Sequence, residues 1–212
     1  MSKNRNEMNF HAFRKVFLEF TCFTSHQVYA WYPDFDKNNL SRWVKKGFLI
    51  KLKNSFYSFP EYLNQAGVSL YLANRIYRPS YISLHSALSF YGLIPEAVVR
   101  ITSVSSLKTA NFENLFGDFS YQTIKPDLMF GYDQKPYLNG LTLNIAKPEK
   151  AILDMLYLYP FYDSAKELEA LRFDEEIILE MINITTLNTY MSNIRSRALD
   201  SRVQLLIKTY GL

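Results

Sequence analysis

Cysteine, histidine, glycine and proline are all scarce in this chain of 212 residues. Cys22 is the only cysteine, which excludes a disulfide framework and a cysteine-rich zinc site. The three histidines (His11, His26 and His85) lie far apart in the sequence and argue against a histidine-based metal site. Seven glycines and eight prolines are too few for a collagen-like or low-complexity chain.

Long apolar runs and the common catalytic motifs are missing as well. No run of about 18 apolar residues occurs, so no transmembrane helix is predicted. The polar start of the chain is not followed by an apolar segment, so we expect no secretory signal and a cytoplasmic protein. There is no Walker loop, dinucleotide-binding glycine motif, HExxH or nucleophile elbow. We therefore expect neither an enzyme nor a bound cofactor or metal.

Apolar residues make up 48% of the chain and aromatic residues 16%, enough for a substantial core in one large or two small domains. The charge is distributed unevenly. The first sixty residues carry ten Lys or Arg against four Asp or Glu, and no acid lies between Asp36 and Glu61. A basic block inside a foldable segment is typical of a nucleic-acid interface, although a solvated basic face has the same composition.

The first sixty residues have the pattern of three short helices followed by a hairpin. Aromatic residues from Phe10 to Phe20 form one helical stripe, and Thr24 and Ser25 offer a cap for a second helix. Asp36 can cap a third helix over residues 37–46, which Gly47 ends. Alternating apolar and lysine residues over 50–53, with a turn at 54–55, predict a basic hairpin.

This order of elements predicts a winged helix-turn-helix over residues 1–60, with the third helix reading the major groove and the hairpin following the DNA backbone. Leu40, Trp43 and Val44 share the apolar side of that helix, and the opposite side is expected to be polar, basic and free of acids. A small helical adaptor with solubilising lysines is the alternative interpretation. The residues expected to contact DNA are Asn38, Ser41, Arg42, Lys45 and Lys46 on the helix and Lys51, Lys53 and Asn54 on the hairpin.

Residues 61–212 are expected to form a second, α+β domain with a small mixed or antiparallel sheet and a helical C-terminal tail. The patterns predict helices over 68–78, 83–92 and 149–159, strands over 98–104, 128–132 and 141–145, and a hairpin over 112–124. Asp154 on the third of these helices is expected to be a helix-face or hydrogen-bonding residue. Ser164 and Asp174 are expected to cap the helices of the tail.

Two other functions remain open for this second part. Asp127, Glu149 and Lys150 suggest a metal-dependent nuclease, but their spacing does not fit one; His85 and Ser86 lack a third group to form a nucleophilic site. The second alternative is a protein-binding module that docks a toxin or another partner through aromatic side chains. These aromatics also suit a hydrophobic core, and they are Tyr71, Tyr77, Tyr81, Phe90, Tyr91, Phe130 and Tyr132.

Several segments of the second part resemble, in order, the AbiEi-type antitoxins, which are transcriptional regulators of abortive-infection (type IV) toxin–antitoxin operons. Residues 81–88 (YISLHSAL) and 91–96 (YGLIPE) resemble the family signature YISLxSALxxxGLIPE. The resemblance continues through residues 102–104 (TSV), 116–121 (FGDFSY), 124–126 (IKP), 130–132 (FGY) and 145–154 (IAKPEKAILD) and covers most of 23–160. One departure is the wing, where the family has RGxY and this chain has Asn54-Ser55-Phe56-Tyr57.

The resemblance implies a phage-defence role. Two copies are expected on an inverted repeat of operator DNA, because doubling the contacts raises affinity and specificity together. The resemblance implies that the protein would repress its own operon through the winged helix. Its second domain would antagonise a nucleotidyltransferase toxin of the AbiEii class without forming a stable complex with it.

Overall fold

The computed structural model describes residues 9–95, 99–137 and 140–212. Its N-terminal part contains three helices and a three-stranded antiparallel sheet with the order β1-β3-β2. The elements in chain order are α1 (Phe10–Phe17), β1 (Cys22–Thr24), α2 (Ser25–Trp31), α3 (Asn38–Lys45), β2 (Ile50–Lys53) and β3 (Phe56–Ser58).

Side-chain caps set the starts of α1 and α2, whereas Lys37 at the start of α3 makes no side-chain cap. The Asn9 side chain accepts a hydrogen bond from the Ala12 N–H at the start of α1. Thr24 and Gln27 form a reciprocal capping box at the start of α2, so the predicted cap is confirmed at Thr24. At α3, the Asp36 carboxylate accepts a hydrogen bond from the Asn38 N–H at 2.9 Å. Gly47 follows the helix at φ +72°, a conformation that favours glycine.

Aromatic rings fill the core between these helices and the sheet. Phe13 lies at its centre, with its ring centroid 4.7 Å from those of Phe17 and Trp43. Burying each such side chain contributes about 1.5–3 kcal/mol. We call this group the aromatic core, and its buried members are Phe13, Phe17, Phe23, Val28, Phe35, Leu40, Trp43, Leu49 and Phe59.

The rest of the chain forms a six-stranded mixed sheet and seven helices among the described residues. The sheet order is β6-β7-β5-β4-β9-β8, in which β5 with β7 and β4 with β9 are parallel pairs. The elements are α4 (Val68–Ile76), β4 (Ser80–Ile82), α5 (Leu84–Phe90), β5 (Arg100–Ser105), β6 (Ala110–Asn114), β7 (Gly117–Thr123), β8 (Tyr132–Tyr137), β9 (Leu141–Ala146), α6 (Pro148–Leu158), α7 (Ala165–Glu169), α8 (Glu175–Met181), α9 (Ile184–Ile194) and α10 (Arg197–Tyr210).

The predicted α+β class with a helical C-terminal region is confirmed. Ser164 and Asp174 cap α7 and α8, as the sequence predicts. The hairpin around Gly117 is also present as β6 and β7. No helix in the described ranges combines the length and the apolar character needed to cross a membrane.

One strand of the second part differs from its predicted position, and one further strand was not predicted. The strand predicted over 128–132 is displaced, because Pro126–Leu128 forms a 3-10 turn and the strand begins only at Tyr132. The short strand β4 is missing from the predictions. Its three residues are buried between β5 and β9, so they lack the alternation that marks a half-exposed strand. The strand predicted from residue 98 begins at Arg100, and residue 98 itself lies outside the described residues.

The three-stranded sheet has an apolar neighbour on each face. Phe23 and Leu49 belong to the aromatic core, whereas Cys22, Ile50 and Leu52 belong to the core of the second part. The edge of β2 also approaches β6, where the Asn114 side-chain amide donates to the Leu52 carbonyl at 3.1 Å. The two cores therefore meet through this sheet. The domain boundary at residue 60 stays a prediction.

Replacing Ser55 with glycine should stabilise the protein by roughly 0.5–1 kcal/mol. Ser55 is the second residue of the β2–β3 turn and lies at φ +65°, which a side chain disfavours and glycine tolerates. Urea unfolding followed by circular dichroism measures the change. The matched control is Ser201→Gly inside α10, where glycine should instead destabilise the helix. Equal destabilisation by both substitutions would contradict the strain at Ser55.

Candidate nucleic-acid interface

Helix α3 has one buried apolar side and one exposed polar side. Leu40 is 2% exposed and Trp43 is 7% exposed, and both pack into the aromatic core. Val44 is only half-buried, so the apolar seam is narrower than predicted. All five helix residues that the sequence assigned to DNA contact are exposed, and they are Asn38, Ser41, Arg42, Lys45 and Lys46.

Arg42 on this exposed side is paired with an acid. Its Nη2 lies 2.9 Å from Asp36 Oδ2, with both side chains about half exposed, and it also donates to the Asn39 side-chain oxygen. The outer side of α3 itself carries no acid, as expected, but Asp36, two residues before the helix begins, adds a carboxylate to this surface. The sequence indicated only a capping role for Asp36, and the structure gives its second carboxylate oxygen to Arg42.

The other cations of this surface have no such partner. Within the described part of the chain, Lys45, Lys46 and Lys51 form no ion pair, and all three side chains are exposed. Lys51 lies on β2, a few residues beyond α3 in the chain. These lysines carry their positive charge in water, where a polyanion can reach it without first breaking an internal contact.

Lys53 differs from its prediction because it turns toward the second part of the protein. Its Nζ lies 4.4 Å from the Tyr77 ring centroid and 4.5 Å from that of Phe112, and it donates to the Ile76 carbonyl at 3.3 Å. Burial lowers the pKa of Lys53. The outward-facing hairpin lysines predicted from alternation thus reduce to Lys51. A β-bulge between Lys51 and Lys53 shifts the register and turns Lys53 to the side of the hairpin that α4 and β6 cover.

Asn54 is exposed at the tip of the hairpin, as predicted. The next residue connects this tip to the helices, because the Ser55 carbonyl accepts a hydrogen bond from the Ser25 N–H at 2.9 Å. Ser25 is the first residue of α2. The hairpin tip and the start of α2 are therefore held beside each other.

A second polar cluster lies in the interior between β4 and α6. The carboxylate of Asp154 forms an ion pair with Lys150 and accepts hydrogen bonds from the Tyr81 hydroxyl at 2.9 Å and the Ser83 hydroxyl at 2.8 Å. Burial and the neighbouring Asp154 raise the pKa of Tyr81, so its hydroxyl stays protonated and can donate. Ser83 precedes α5 but makes no side-chain cap, since its hydroxyl is committed to Asp154.

The sequence predicted a hydrogen-bonding role for Asp154 but missed its partners. The four-residue spacing of Lys150 and Asp154 on one helix was the available signal. Tyr81 lies on β4 and Ser83 directly after it, both distant from α6 in the chain. The Lys150 and Asp154 side chains are 1% and 3% exposed, so no substrate reaches them in this conformation. Lys150 is thus committed to Asp154 rather than to Asp127, which is exposed.

The aromatic side chains considered for partner docking are mostly in the core. Tyr71 and Tyr81 are buried, and Tyr81 stacks on Tyr132 with ring centroids 4.6 Å apart. Only Phe90 and Tyr132 of that set are exposed, each at 38%. The single cysteine is also buried, and burial raises the pKa of Cys22 to about 11, which keeps the thiol protonated.

No protein-family model and no curated protein matches this chain.

Proposed function

We propose that this chain is a DNA-binding transcriptional autorepressor and the antitoxin of an abortive-infection toxin–antitoxin operon. In this proposal the N-terminal part acts as a winged helix-turn-helix, with α3 as the reading helix and the β2–β3 hairpin as the wing. The observation that carries it is the exposed, cationic side of α3, directly opposite the buried Leu40 and Trp43. This geometry lets one helix anchor in the protein and enter a groove at the same time.

The proposed contacts divide into two kinds. Asn38, Ser41 and Arg42 have the side chains that read base edges in the major groove. Phosphates would be held by the exposed lysines of α3 and by the hairpin, which contributes Lys51 and Asn54. Lys53 is left out of this set, because its ammonium group lies over Tyr77 and Phe112. Two copies on an inverted repeat would double the contacts and raise affinity and specificity together.

The antitoxin half of the proposal is supported by the resemblance to AbiEi-type proteins alone. The segments that carry this resemblance include Tyr81, Ser83, Lys150 and Asp154, which form the buried polar cluster. Their arrangement fits a scaffold that holds β4 against α6. The proposed second role is to counter a nucleotidyltransferase toxin of the AbiEii class in the cytoplasm.

Replacing Lys45 and Lys46 together with alanine should weaken DNA binding for every sequence and reduce the salt dependence of the affinity. Each lysine that loses a phosphate contact should lower the slope of log affinity against log salt by about one. The measurement is fluorescence anisotropy with a duplex taken from upstream of the chain's own reading frame.

The matched control for this double variant is Lys166→Ala with Lys208→Ala. These lysines are also exposed, but they lie on α7 and α10, far along the chain from α3. The control removes the same charge and should leave the slope nearly unchanged. Equal slopes for the two double variants would contradict the proposed interface.

The antitoxin role is tested by co-expression with the product of an adjacent nucleotidyltransferase gene. Growth should recover when this chain is present, and the two proteins should not co-purify. Recovery together with a stable complex would favour the protein-binding alternative. Failure to restore growth would contradict the antitoxin role and leave the DNA-binding proposal to its own test.

A further inference from the structure

The Asp36 carboxylate connects the backbone of α3 to the side chain of Arg42. Its Oδ1 accepts a hydrogen bond from the Asn38 N–H, and its Oδ2 accepts one from Arg42 Nη2, each at 2.9 Å. The same Nη2 donates to the side-chain oxygen of Asn39, which is buried. The Nη2 end of the guanidinium is thus held by Asp36 and Asn39. Asp36 is in turn held by its hydrogen bond from the α3 backbone.

This arrangement places the Arg42 guanidinium over the first turn of α3. Side chains on a helix point toward its N-terminus, and both partners of Arg42 come from that end. In helix-turn-helix proteins the N-terminal residues of the reading helix contact the base edges. The anchored arginine therefore lies where a reading helix approaches the bases most closely.

Arg42 retains donors for a ligand in this conformation. An arginine has five N–H donors, and the described hydrogen bonds of Arg42 all involve Nη2. The Nε–H and the two N–H groups of Nη1 remain. Nη1 can therefore donate to guanine, which presents two acceptors, O6 and N7, in the major groove and is the base that arginine contacts most often. A fork of two nitrogens would also need Nη2, which is committed to Asp36 and Asn39.

We propose that Asp36 is a positioning residue that orients Arg42 toward a guanine and so sets the base specificity of α3. This inference rests on the proposed DNA-binding function. Asp36 contributes in two ways. It holds the arginine in place before binding, and its negative charge opposes contact with phosphates in every sequence, so that only the arginine contact favours the target.

A simpler role for Asp36 would be that of a surface acid that only repels DNA. The two roles differ in the ratio of affinities for target and random duplexes. Removing a purely repulsive acid raises both affinities by the same factor and leaves the ratio unchanged. Removing a positioning acid raises the affinity for random DNA but loosens the arginine, so the ratio falls.

The test compares the wild-type full chain with Asp36→Asn. Asparagine keeps the side-chain oxygen that accepts from the Asn38 N–H, so the start of α3 should be retained, and a thermal melt checks this. Anisotropy is measured with the footprinted upstream duplex, with a duplex carrying a substitution at the contacted guanine, and with a random duplex. We expect the target-to-random ratio to fall about tenfold, since the loss of one matched base pair in a site reduces affinity by roughly 5- to 150-fold.

A double-variant cycle separates positioning from other effects of the charge. In an Arg42→Ala background, Asp36→Asn should no longer change the ratio, because no arginine remains to be oriented. Asp36→Glu, which keeps the charge, should recover part of the wild-type ratio. An unchanged ratio in Asp36→Asn alone would overturn this inference and leave the proposed function intact. Equal binding of target and random duplexes by the wild-type chain would overturn both.

Discussion

Replacing Asp154 with asparagine should lower the free energy of unfolding by about 3–5 kcal/mol. Asp154 and Lys150 form an ion pair with almost no exposure to water, one turn apart on α6. Removing the carboxylate charge leaves the Lys150 ammonium buried beside Tyr81 and Phe130, whose ring centroids lie 5.7 and 5.0 Å away. The two rings compensate poorly for the lost carboxylate, because burial keeps water from solvating the ammonium group. Chemical unfolding in urea at pH 7 measures the loss.

Two further variants make this prediction specific. Asp133→Asn breaks the pair with Lys147, which is 3.7 Å long and about half exposed, and should cost at most about 1 kcal/mol because water replaces the lost partner. The double variant Lys150→Met with Asp154→Asn removes both buried charges and keeps a side-chain oxygen for the Tyr81 and Ser83 hydroxyls, so it should recover part of the stability that Asp154→Asn alone loses. A loss below about 1 kcal/mol for Asp154→Asn would show that Lys150 finds another partner.

The affinity of the wild-type chain for operator DNA should fall by about a thousandfold or more between 50 and 200 mM salt. Each copy is expected to contact about three to four phosphates, so a pair on an inverted repeat contacts roughly 6–8 and releases a similar number of counterions. Lys45, Lys46 and Lys51 supply exposed charge for these contacts. Anisotropy or gel-shift titrations over a series of potassium chloride concentrations give the slope.

The length of the duplex provides the control for this salt series. A duplex with a single half-site binds one copy, so its slope should be about half that of the complete inverted repeat. A flat response for the complete repeat would rule out the proposed phosphate contacts. If the half-site gave the same slope of log affinity against log salt as the complete repeat, all the phosphate contacts would come from one copy, which would contradict the paired arrangement.

The sequence predicted α3 well, because this helix depends on local rules. The spacing of Leu40 and Trp43 defines its buried side, and Gly47 defines its end. Its exposed residues follow from the same periodicity. The pairing of Arg42 with Asp36 could not be predicted in this way, since six residues separate them and the contact depends on the rotamers at the helix start.

The position of Lys53 and the buried cluster at Asp154 show the limits of periodicity. Alternation along β2 predicts that Lys53 lies on the same side as Lys51, but a β-bulge between them turns Lys53 toward Tyr77 and Phe112. In the same way, Tyr81 meets Asp154 only after β4 has paired in the centre of the sheet. Contacts between residues distant in the chain depend on the packing of whole elements, which local patterns do not encode.

The three-stranded sheet, with one core on each of its faces, also determines how this protein can be divided. A fragment that ends at residue 60 would expose Cys22, Ile50 and Leu52 to water, although all three are buried in the intact chain. Such a fragment would be prone to self-association, and the remaining piece would lack the side chains that complete its own interior. The N-terminal part is therefore not an interchangeable module, and grafting it onto another protein would require a substitute apolar surface beneath the hairpin.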